Sequence, residues 1–221
     1  MHTTERRPLT PAARRVLNVA SELFYSRGIN TVGMELVAEE AGVTKKTIYD
    51  RFGSKQRLVV AYLRARDEHW RDFLTSRLEP HPSPEAGIVA TFDALAEWMD
   101  RENERGCAMV NAYAELSDPE HPGRAVAEEQ KHWLRGLYRD LVRSAGASDA
   151  EALADTLTML HEGAVVARNV TGITEAAHTA GTAARALLRL HGVHGSDEGP
   201  SSARRDRGSA PGGGSTQTGP A

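Results

Sequence analysis

The chain has 221 residues, of which 40% are hydrophobic and 26% charged, a length and composition that predict one or two globular domains. Its formal net charge of −3 excludes a uniformly basic nucleic-acid coat and a strongly acidic disordered protein. The single cysteine, Cys107, excludes an internal disulfide and a zinc site built on paired thiolates. The sequence has no uninterrupted run of about 18 apolar residues, the length that a membrane-spanning helix needs.

Helical signals run through almost the whole chain, without the sustained apolar/polar alternation of a strand. Near the N-terminus, Thr10 is an N-cap followed by Pro11 at the first helical position, and Gly28 ends that helix. Two short helices follow, separated by a turn at Gly42, and Ser54 then caps a long helix. These four helices are predicted over residues 10–28, 34–42, 44–51 and 54–78.

Five further helices are predicted after a proline-rich interruption at residues 80–84. Glycines end several of them, Ser148 and Glu151 form a capping box at the start of the eighth helix, and Thr174 caps the ninth. These helices are predicted over residues 83–106, 107–116, 122–146, 148–172 and 174–191. The sequence therefore predicts an all-α fold of about nine helices.

The second and third helices have the layout of a helix-turn-helix, in which Gly42 supplies the turn and apolar residues fix the angle between the helices. The outward residues of the third helix offer hydroxyls and cations to a DNA major groove. They are Thr44, Lys45, Lys46, Thr47, Tyr49 and Arg51. A solvated charged surface is the alternative interpretation.

Regional charge supports the DNA-binding interpretation. Residues 1–60 contain ten basic and six acidic residues, a net charge of +4, whereas the other 161 residues carry a net charge of −7. Basic charge is therefore concentrated where the phosphate backbone would lie.

The segments 27–33 (RGINTVG) and 41–52 (AGVTKKTIYDRF), followed by Ser54 and Lys55, resemble the tetracycline-repressor (TetR) family. The resemblance covers residues 14–62 and implies a ligand-responsive repressor that binds a palindromic operator as a homodimer and is released by a small molecule. It also implies that Lys45, Thr47 and Tyr49 contact phosphates or bases, and that Lys55 contacts a phosphate.

Four positions depart from the family pattern. Gly33 stands where many members have a Ser or Thr that caps the second helix and contacts phosphate, and Lys46 replaces a common Gly or Ala. Arg51 lies where Tyr or His is common, and the adjacent Asp50 either accepts from a cytosine amino group or pairs with Arg51. The operator sequence is therefore not transferable from the family.

The resemblance divides the chain into a flexible arm, a three-helix helix-turn-helix DNA-binding domain, a larger helical effector-binding and dimerisation domain, and a disordered tail. Their predicted limits are residues 1–9, 10–58, 59–191 and 192–221. The tail is rich in glycine, proline and serine and cannot bury enough surface to fold. A phosphate-contacting arm at Arg204, Arg205 and Arg207 is the alternative.

Aromatic residues and methionines spread over several C-terminal helices suggest the wall of an apolar effector pocket, although ordinary core packing explains each of them singly. Asn111, His161 and Glu162 are polar residues in apolar stretches and need either a protein partner or a ligand. The candidate ligand-binding residues are Phe92, Trp98, Met99, Met109, Asn111, Tyr113, Trp133 and His161. Cys107 is interpreted as a small buried hydrophobic residue, and redox sensing is the alternative.

The last two helices are predicted to form a two-fold dimer by packing as a four-helix bundle with their copies. Small residues on the ninth helix permit close approach, and two leucines add apolar area. The predicted interface residues are Ala180, Gly181, Ala184, Leu187 and Leu188.

The sequence contains no phosphate-binding glycine loop after a strand, no nucleophile elbow and no HExxH motif, so we expect neither an enzyme nor a metal or cofactor. We expect a cytoplasmic protein whose partners are double-stranded operator DNA, a small-molecule effector and a second copy of the chain. The alternative function is a helical small-molecule-binding protein that keeps the helix-turn-helix as a scaffold.

Overall fold

The computed structural model describes residues 9–78 and 81–195. Within these ranges it is all-α, with nine helices and no strand, as predicted. The helices are α1 Pro11–Arg27, α2 Met34–Glu40, α3 Lys45–Phe52, α4 Lys55–Thr75, α5 Pro84–Glu102, α6 Ala108–Glu115, α7 Pro122–Ser144, α8 Ala150–Thr171 and α9 Ala176–Leu190. Residues 1–8 of the predicted arm and 196–221 of the predicted tail lie outside the described ranges.

The first three helices and the start of α4 share one apolar core. The side chain of Thr10 accepts a hydrogen bond from the backbone N–H of Ala13, which satisfies one of the free donors at the start of α1. Val16, Phe24 and Ile48 are buried in this core, so α1 holds both helices of the helix-turn-helix in place. The same core continues into α6 and the beginning of α7, which tie it to the C-terminal half.

The second core lies between α5, α7, α8 and α9, with the C-terminal end of α4 packed against it. Its largest fully buried side chains include Phe92 on α5, Tyr138 on α7 and Leu157 on α8. Because α4 contributes to both cores, it connects them directly. Its 21 residues span about 31 Å at roughly 1.5 Å per residue.

Several helix starts or ends differ from the predictions, among them the end of α5 at Glu102 rather than near residue 106. Asp149, not Ser148, caps α8: its backbone is left-handed and its carboxylate accepts from the N–H of Ala152 at 3.4 Å. The ninth helix begins after Glu175 without a side-chain cap, so Thr174 does not have the predicted role. The regular part of α4 ends at Thr75 rather than near residue 78.

Within residues 9–78 and 81–195, no helix has the combination of length and apolar character needed to cross a membrane.

Candidate functional site

The turn between α2 and α3 has the backbone geometry of a tight helix-turn-helix. Gly42 has a φ of +63°, which glycine adopts without the steric cost of a Cβ atom. The N–H of Val43 donates to the carbonyl of Ala38 at 3.0 Å and closes the turn. Ile48 and Phe52 then bury the inner side of α3, so the orientation of its outer side is fixed by packing.

The outer side of α3 carries the residues that the sequence predicted to contact DNA. Thr44 caps the helix by accepting from the N–H of Thr47 at 3.1 Å. The exposed side chains are Thr44, Lys45, Lys46, Tyr49 and Arg51, whereas Thr47 is half-buried. Tyr49 is 45% exposed although it is a large aromatic residue, so packing does not account for its position. The helix therefore presents one polar and cationic surface to solvent.

Two of the lysines on this surface are already paired with carboxylates. Lys45 donates to Glu35 of α2 at 2.6 Å, and Lys46 donates to Asp50 at 2.8 Å, one helical turn away. The carboxylates raise the pKa of both lysines, and the hydrogen bond from Lys45 lowers the pKa of Glu35. The structure thus pairs Asp50 with Lys46 and not with Arg51, which corrects one of the two predicted roles of Asp50.

The start of α4 lies beside the helix-turn-helix. It is capped by Ser54, whose hydroxyl accepts a hydrogen bond from the N–H of Arg57 at 3.2 Å. Lys55 is half-buried at its first position, and burial lowers the pKa of this lysine. The N-terminal end of a helix, together with a lysine, is a local arrangement suited to a phosphate. Gly33 caps α2 without a side-chain hydrogen bond, in agreement with its departure from the family pattern.

The structure places most of the predicted dimer-interface residues inside the protomer. Ala180, Gly181, Ala184 and Leu188 are buried between α9 and the neighbouring helices, and Leu187 is half-buried. A Cβ atom added to Gly181 would lie 3.1 Å from the Cβ of Phe92, so the small residues permit the close approach of α9 to α5 within one chain. Their smallness is therefore explained without a second copy.

A different part of α8 and α9 exposes large apolar side chains to solvent. Met159, Val166 and Val170 follow one another at spacings of seven and four residues along α8, and Val170 is 78% exposed. Ile173 after α8 and Leu190 on α9 are also exposed, the latter by 81%. These five residues, named here the α8–α9 apolar face, lie on α8, on α9 or in the turn between them.

A cavity of about 50 Å³ lies between α4, α5, α6, α7 and α8. Its apolar and aromatic walls are Trp70, Leu95, Trp98, Ala108, Met109 and Val165. Its polar and charged walls are Arg66, Asp67, Asn103, Cys107, Gln130, Lys131, His161 and Glu162. The wall thus combines two tryptophans with eight polar or charged residues, so a ligand there would meet both apolar surface and hydrogen-bonding groups.

Trp98, Met109 and His161 are the predicted ligand-binding residues that line this cavity. The others lie elsewhere: Phe92 and Met99 are buried core residues, and Asn111 donates to the backbone carbonyl of Arg105. Arginine guanidinium groups lie over the rings of the remaining two. The guanidinium carbon of Arg124 is 3.7 Å from the ring centre of Tyr113, and that of Arg71 is 4.5 Å from the ring centre of Trp133. Trp70, Gln130 and Lys131 also line the cavity, but helical periodicity does not predict this because it does not show which buried faces surround a gap.

His161 is buried at the cavity wall in a chain of hydrogen bonds. Its Nδ1 lies 2.9 Å from the hydroxyl of Tyr138, which lies 3.0 Å from the hydroxyl of Thr91. Burial, with a contribution from the positive charge of Lys131, lowers the pKa of His161 to about 3. Burial also raises the pKa of Tyr138. The imidazole and the phenol are therefore both neutral near pH 7 and serve as hydrogen-bonding groups.

Gln130 and Lys131 bring further polar chemistry to the cavity. Lys131 donates to Glu162 at 2.7 Å and to the sulfur of Cys107 at 3.2 Å. Burial alone would lower the pKa of Lys131, but Cys107 and Glu162 outweigh this effect and raise it. Gln130 is only 4% exposed, and its Oε1 has no hydrogen-bond partner in the part of the chain that the structure describes. Cys107 is half-buried and its sulfur accepts a hydrogen bond from Lys131, which corrects its interpretation as a buried hydrophobic residue.

The loop before α6 joins the cavity to the helix-turn-helix region. The hydroxyl of Tyr25 on α1 donates to the carbonyl of Gly106 at 3.0 Å and accepts from the N–H of Arg105 at 2.9 Å. The same hydroxyl lies 3.3 Å from Oδ1 of Asn103, which lines the cavity. At the other end of α6, the carboxylate of Glu115 accepts from the N–H of Asn30 at 3.1 Å. The loop before α6 and the last residue of α6 are therefore hydrogen-bonded to α1 and to the turn that follows it.

Comparison with known proteins places the chain among DNA-binding regulators. A family model described as bacterial regulatory proteins of the TetR family matches residues 16–62. The HTH-type transcriptional regulator LmrA of Bacillus subtilis is 27% identical over 141 residues, which cover 62% of this chain and 74% of that protein. The HTH-type transcriptional regulator YjdC of Escherichia coli is 24% identical over 151 residues, which cover 67% of this chain and 78% of that protein.

Solved structures resemble the fold over most of its length. The crystal structure of a TetR-family transcriptional regulator from Streptomyces coelicolor has a TM-score of 0.76 and 29% sequence identity, and the match covers 81% of this chain and 95% of that one. A TetR transcriptional regulator from Streptomyces avermitilis has a TM-score of 0.69 and 28% identity, with 84% of this chain and 100% of that one covered. The similarity therefore includes the C-terminal helices as well as the segment matched by the family model.

Proposed function

This chain belongs to the TetR family of bacterial regulatory proteins, and we propose that it represses transcription as a homodimer that a small molecule releases from its operator. The observation that carries the proposal is the exposed outer side of α3, with Lys46 and Tyr49 directed away from a core that holds Ile48. Like its regulatory relatives, the chain is a regulator rather than an enzyme. We place it in the cytoplasm, where it meets DNA.

We assign DNA contacts to α3 and the start of α4. A helix of this size enters a major groove, where lysine and arginine bond to guanine and hydroxyls bond to bases or phosphates. Lys45 and Lys46 would exchange their carboxylate partners Glu35 and Asp50 for phosphates or bases. Lys55 and the capped start of α4 would bind a phosphate. Residues 10–58 remain our proposed DNA-binding domain, and residues 59–191 the effector and dimer domain.

We assign the dimer interface to the α8–α9 apolar face. Exposed large apolar residues concentrated on two adjacent helices are uncommon in a monomer and typical of a subunit interface. Two copies related by a two-fold axis would bury this face in a four-helix bundle. The proposed interface is therefore Met159, Val166, Val170, Ile173 and Leu190, next to the originally predicted small residues rather than on them.

We assign the effector site to the cavity beside α6. Met109 lines the cavity and is also part of the N-terminal core, so a ligand that displaces α6 acts on the packing of α1. The hydrogen bonds of Tyr25 and Asn30 to the two ends of α6 transmit the same displacement. A shift of a few ångströms at each recognition helix prevents both subunits from binding half-sites at once.

Selection from a pool of random DNA duplexes, followed by gel-shift titration, tests the function. We expect a palindromic sequence to be enriched and Tyr49→Ala to lose affinity for it, whereas Arg143→Ala, an exposed cation at the end of α7, binds as the wild type does. If no sequence is enriched, or if Tyr49→Ala binds normally, the alternative of a small-molecule-binding protein with a helix-turn-helix scaffold replaces the proposal.

A further inference from the structure

Gln130 places an unsatisfied hydrogen-bond acceptor at the wall of the cavity. The residue is 4% exposed, and its Oε1 has no hydrogen-bond partner among the residues that the structure describes. Buried polar side-chain atoms are normally satisfied, by protein groups or by a bound molecule. The occupant of this cavity is therefore expected to carry an N–H or O–H group.

His161 adds a second acceptor to the same wall. The hydroxyl of Thr91 donates to the backbone carbonyl of Ile88 at 2.7 Å, so its oxygen accepts from the hydroxyl of Tyr138 at 3.0 Å. Tyr138 has then used its only hydrogen and accepts from Nδ1–H of His161 at 2.9 Å. Because the imidazole is neutral near pH 7, its Nε2 carries a lone pair and can only accept.

The four charged side chains of the cavity wall each have an ion-pair partner. The pairs are Lys131–Glu162 at 2.7 Å, Asp67–Arg71 at 2.8 Å and Arg66–Glu102 at 3.5 Å. An ionised ligand would have to break one of these pairs or remain without a counter-charge, which is unfavourable in a site shielded from water. The wall therefore favours a neutral ligand.

We propose that the cavity binds small neutral primary amides, which are the effector class of the protein. The inference rests on the proposed function, because it names the chemistry of the proposed effector cavity. A carboxamide complements the carboxamide of Gln130, since one N–H of the ligand donates to Oε1 while the ligand carbonyl accepts from Nε2. The second N–H of the ligand donates to Nε2 of His161.

The size and the apolar part of the cavity limit the rest of the ligand. The volume of about 50 Å³ is roughly three to five times the 10 to 15 Å³ that one water molecule needs, which suits about four non-hydrogen atoms. The indoles of Trp70 and Trp98 offer apolar surface to a short alkyl group. Acetamide meets these limits, whereas a larger amide must displace the walls, including Met109 on α6.

Three compounds with four non-hydrogen atoms each, namely acetamide, acetone and acetate, test the chemistry of the site. Acetone replaces the amide nitrogen by a methyl group, and acetate replaces it by oxygen and adds a negative charge. In NMR titrations of the full chain at pH 7, we expect acetamide to bind about tenfold more tightly than either, or better, since each lost hydrogen bond costs about fivefold. A ligand of four non-hydrogen atoms has a Kd of about 40 µM at the tightest, so the titrations extend into the millimolar range. Equal affinities for acetamide and acetone would overturn the proposal and leave water as the partner of Gln130.

A substitution at Gln130 separates the hydrogen bond from folding. Gln130→Met removes the acceptor at similar side-chain length, and because it also removes an unsatisfied buried group, we expect the variant to fold. Its affinity for acetamide should fall about fivefold or more, while its affinity for acetone should not fall. Gln56→Met, the same substitution at an exposed position on α4, is the control and should bind acetamide as the wild type does. Unchanged acetamide affinity in Gln130→Met would contradict the proposal.

The contact with His161 has its own spectroscopic signature. The 15N resonance of Nε2, identified by its loss in His161→Gln, should move when acetamide binds because the lone pair then accepts a hydrogen bond. Acetone should leave it in place. A resonance that acetamide does not move would show that the amide does not reach the imidazole, and the proposed arrangement would be wrong.

Operator binding is measured separately, without and with isobutyramide, which is larger than the cavity. We expect isobutyramide to weaken operator binding by the wild type, and its ketone counterpart 3-methylbutan-2-one to have no such effect. Failure of the ligand-free protein to bind any operator would contradict the proposed function, while the acetamide titrations would still decide whether the cavity binds amides. An amide that binds the protein and leaves operator affinity unchanged would show that primary amides are not its effectors.

Discussion

Acidification should destabilise the protein through His161. In the folded protein, burial lowers the pKa of this imidazole to about 3, whereas an exposed histidine in the unfolded chain has a pKa of about 6.5. Below pH 6.5 the unfolded chain binds a proton that the folded chain does not, so protonation favours unfolding. The stability that neutral His161 provides is complete above pH 6.5 and is lost as the pH falls toward 3.

The loss should be large enough to measure. Each pH unit between these limits changes the free energy of unfolding by about 1.4 kcal/mol, so His161 should account for a loss of about 2 kcal/mol between pH 8 and pH 5. Urea unfolding of the wild type and of His161→Gln at both pH values isolates this loss, since the other titrating groups are common to both proteins. An equal pH dependence in the two proteins would refute the assignment of His161 as a buried neutral imidazole.

Three further predictions concern the DNA surface, the dimer and the joint between the two cores. Lys45→Ala and Lys46→Ala should each reduce the slope of log affinity against log salt by about 0.9 in operator titrations, and an unchanged slope in both would argue against phosphate or groove contacts. Val166→Glu should yield monomers in light scattering, whereas Val110→Glu, at a similarly exposed position on α6, should stay dimeric; a dimeric Val166→Glu protein would place the interface elsewhere. Tyr25→Phe removes the acceptor of the Arg105 N–H, so hydrogen exchange of that amide should accelerate about fivefold for a hydrogen bond of about 1 kcal/mol; unchanged exchange would show that the bond does not protect the loop.

The sequence predicted the helices and the exposed side of α3 well because local signals determine both. Thr10, Gly42 and Ser54 act through bonds to residues within a few positions, and the structure has these caps and this turn. The outer side of α3 follows from helical periodicity once Ile48 is assigned to the core. The cap of α8 was missed because Asp149 and Ser148 are both good capping residues, and backbone conformation decides between them.

The cavity and the α8–α9 apolar face depend on how helices distant in the sequence pack, and helical periodicity does not reveal that packing. The small residues of α9 were assigned to an interface between copies, but they allow α9 to pack against Phe92 in the same chain. Gln130 has the spacing of a core residue, and only the packed structure shows that its Oε1 has no hydrogen-bond partner within residues 9–78 and 81–195. Likewise, the contact between Cys107 and Lys131 joins α6 to α7 and has no local sequence signal.

Footprinting of the selected operator with hydroxyl radicals tests the central claim most directly, namely that two copies read DNA through α3. The account predicts two protected half-sites related by a two-fold axis, with centres separated by about 34 to 36 Å or a multiple of that distance. In the double variant with Lys46→Ala and Tyr49→Ala, we expect neither half-site to be protected. A single protected site, or protection that persists in the double variant, would contradict it.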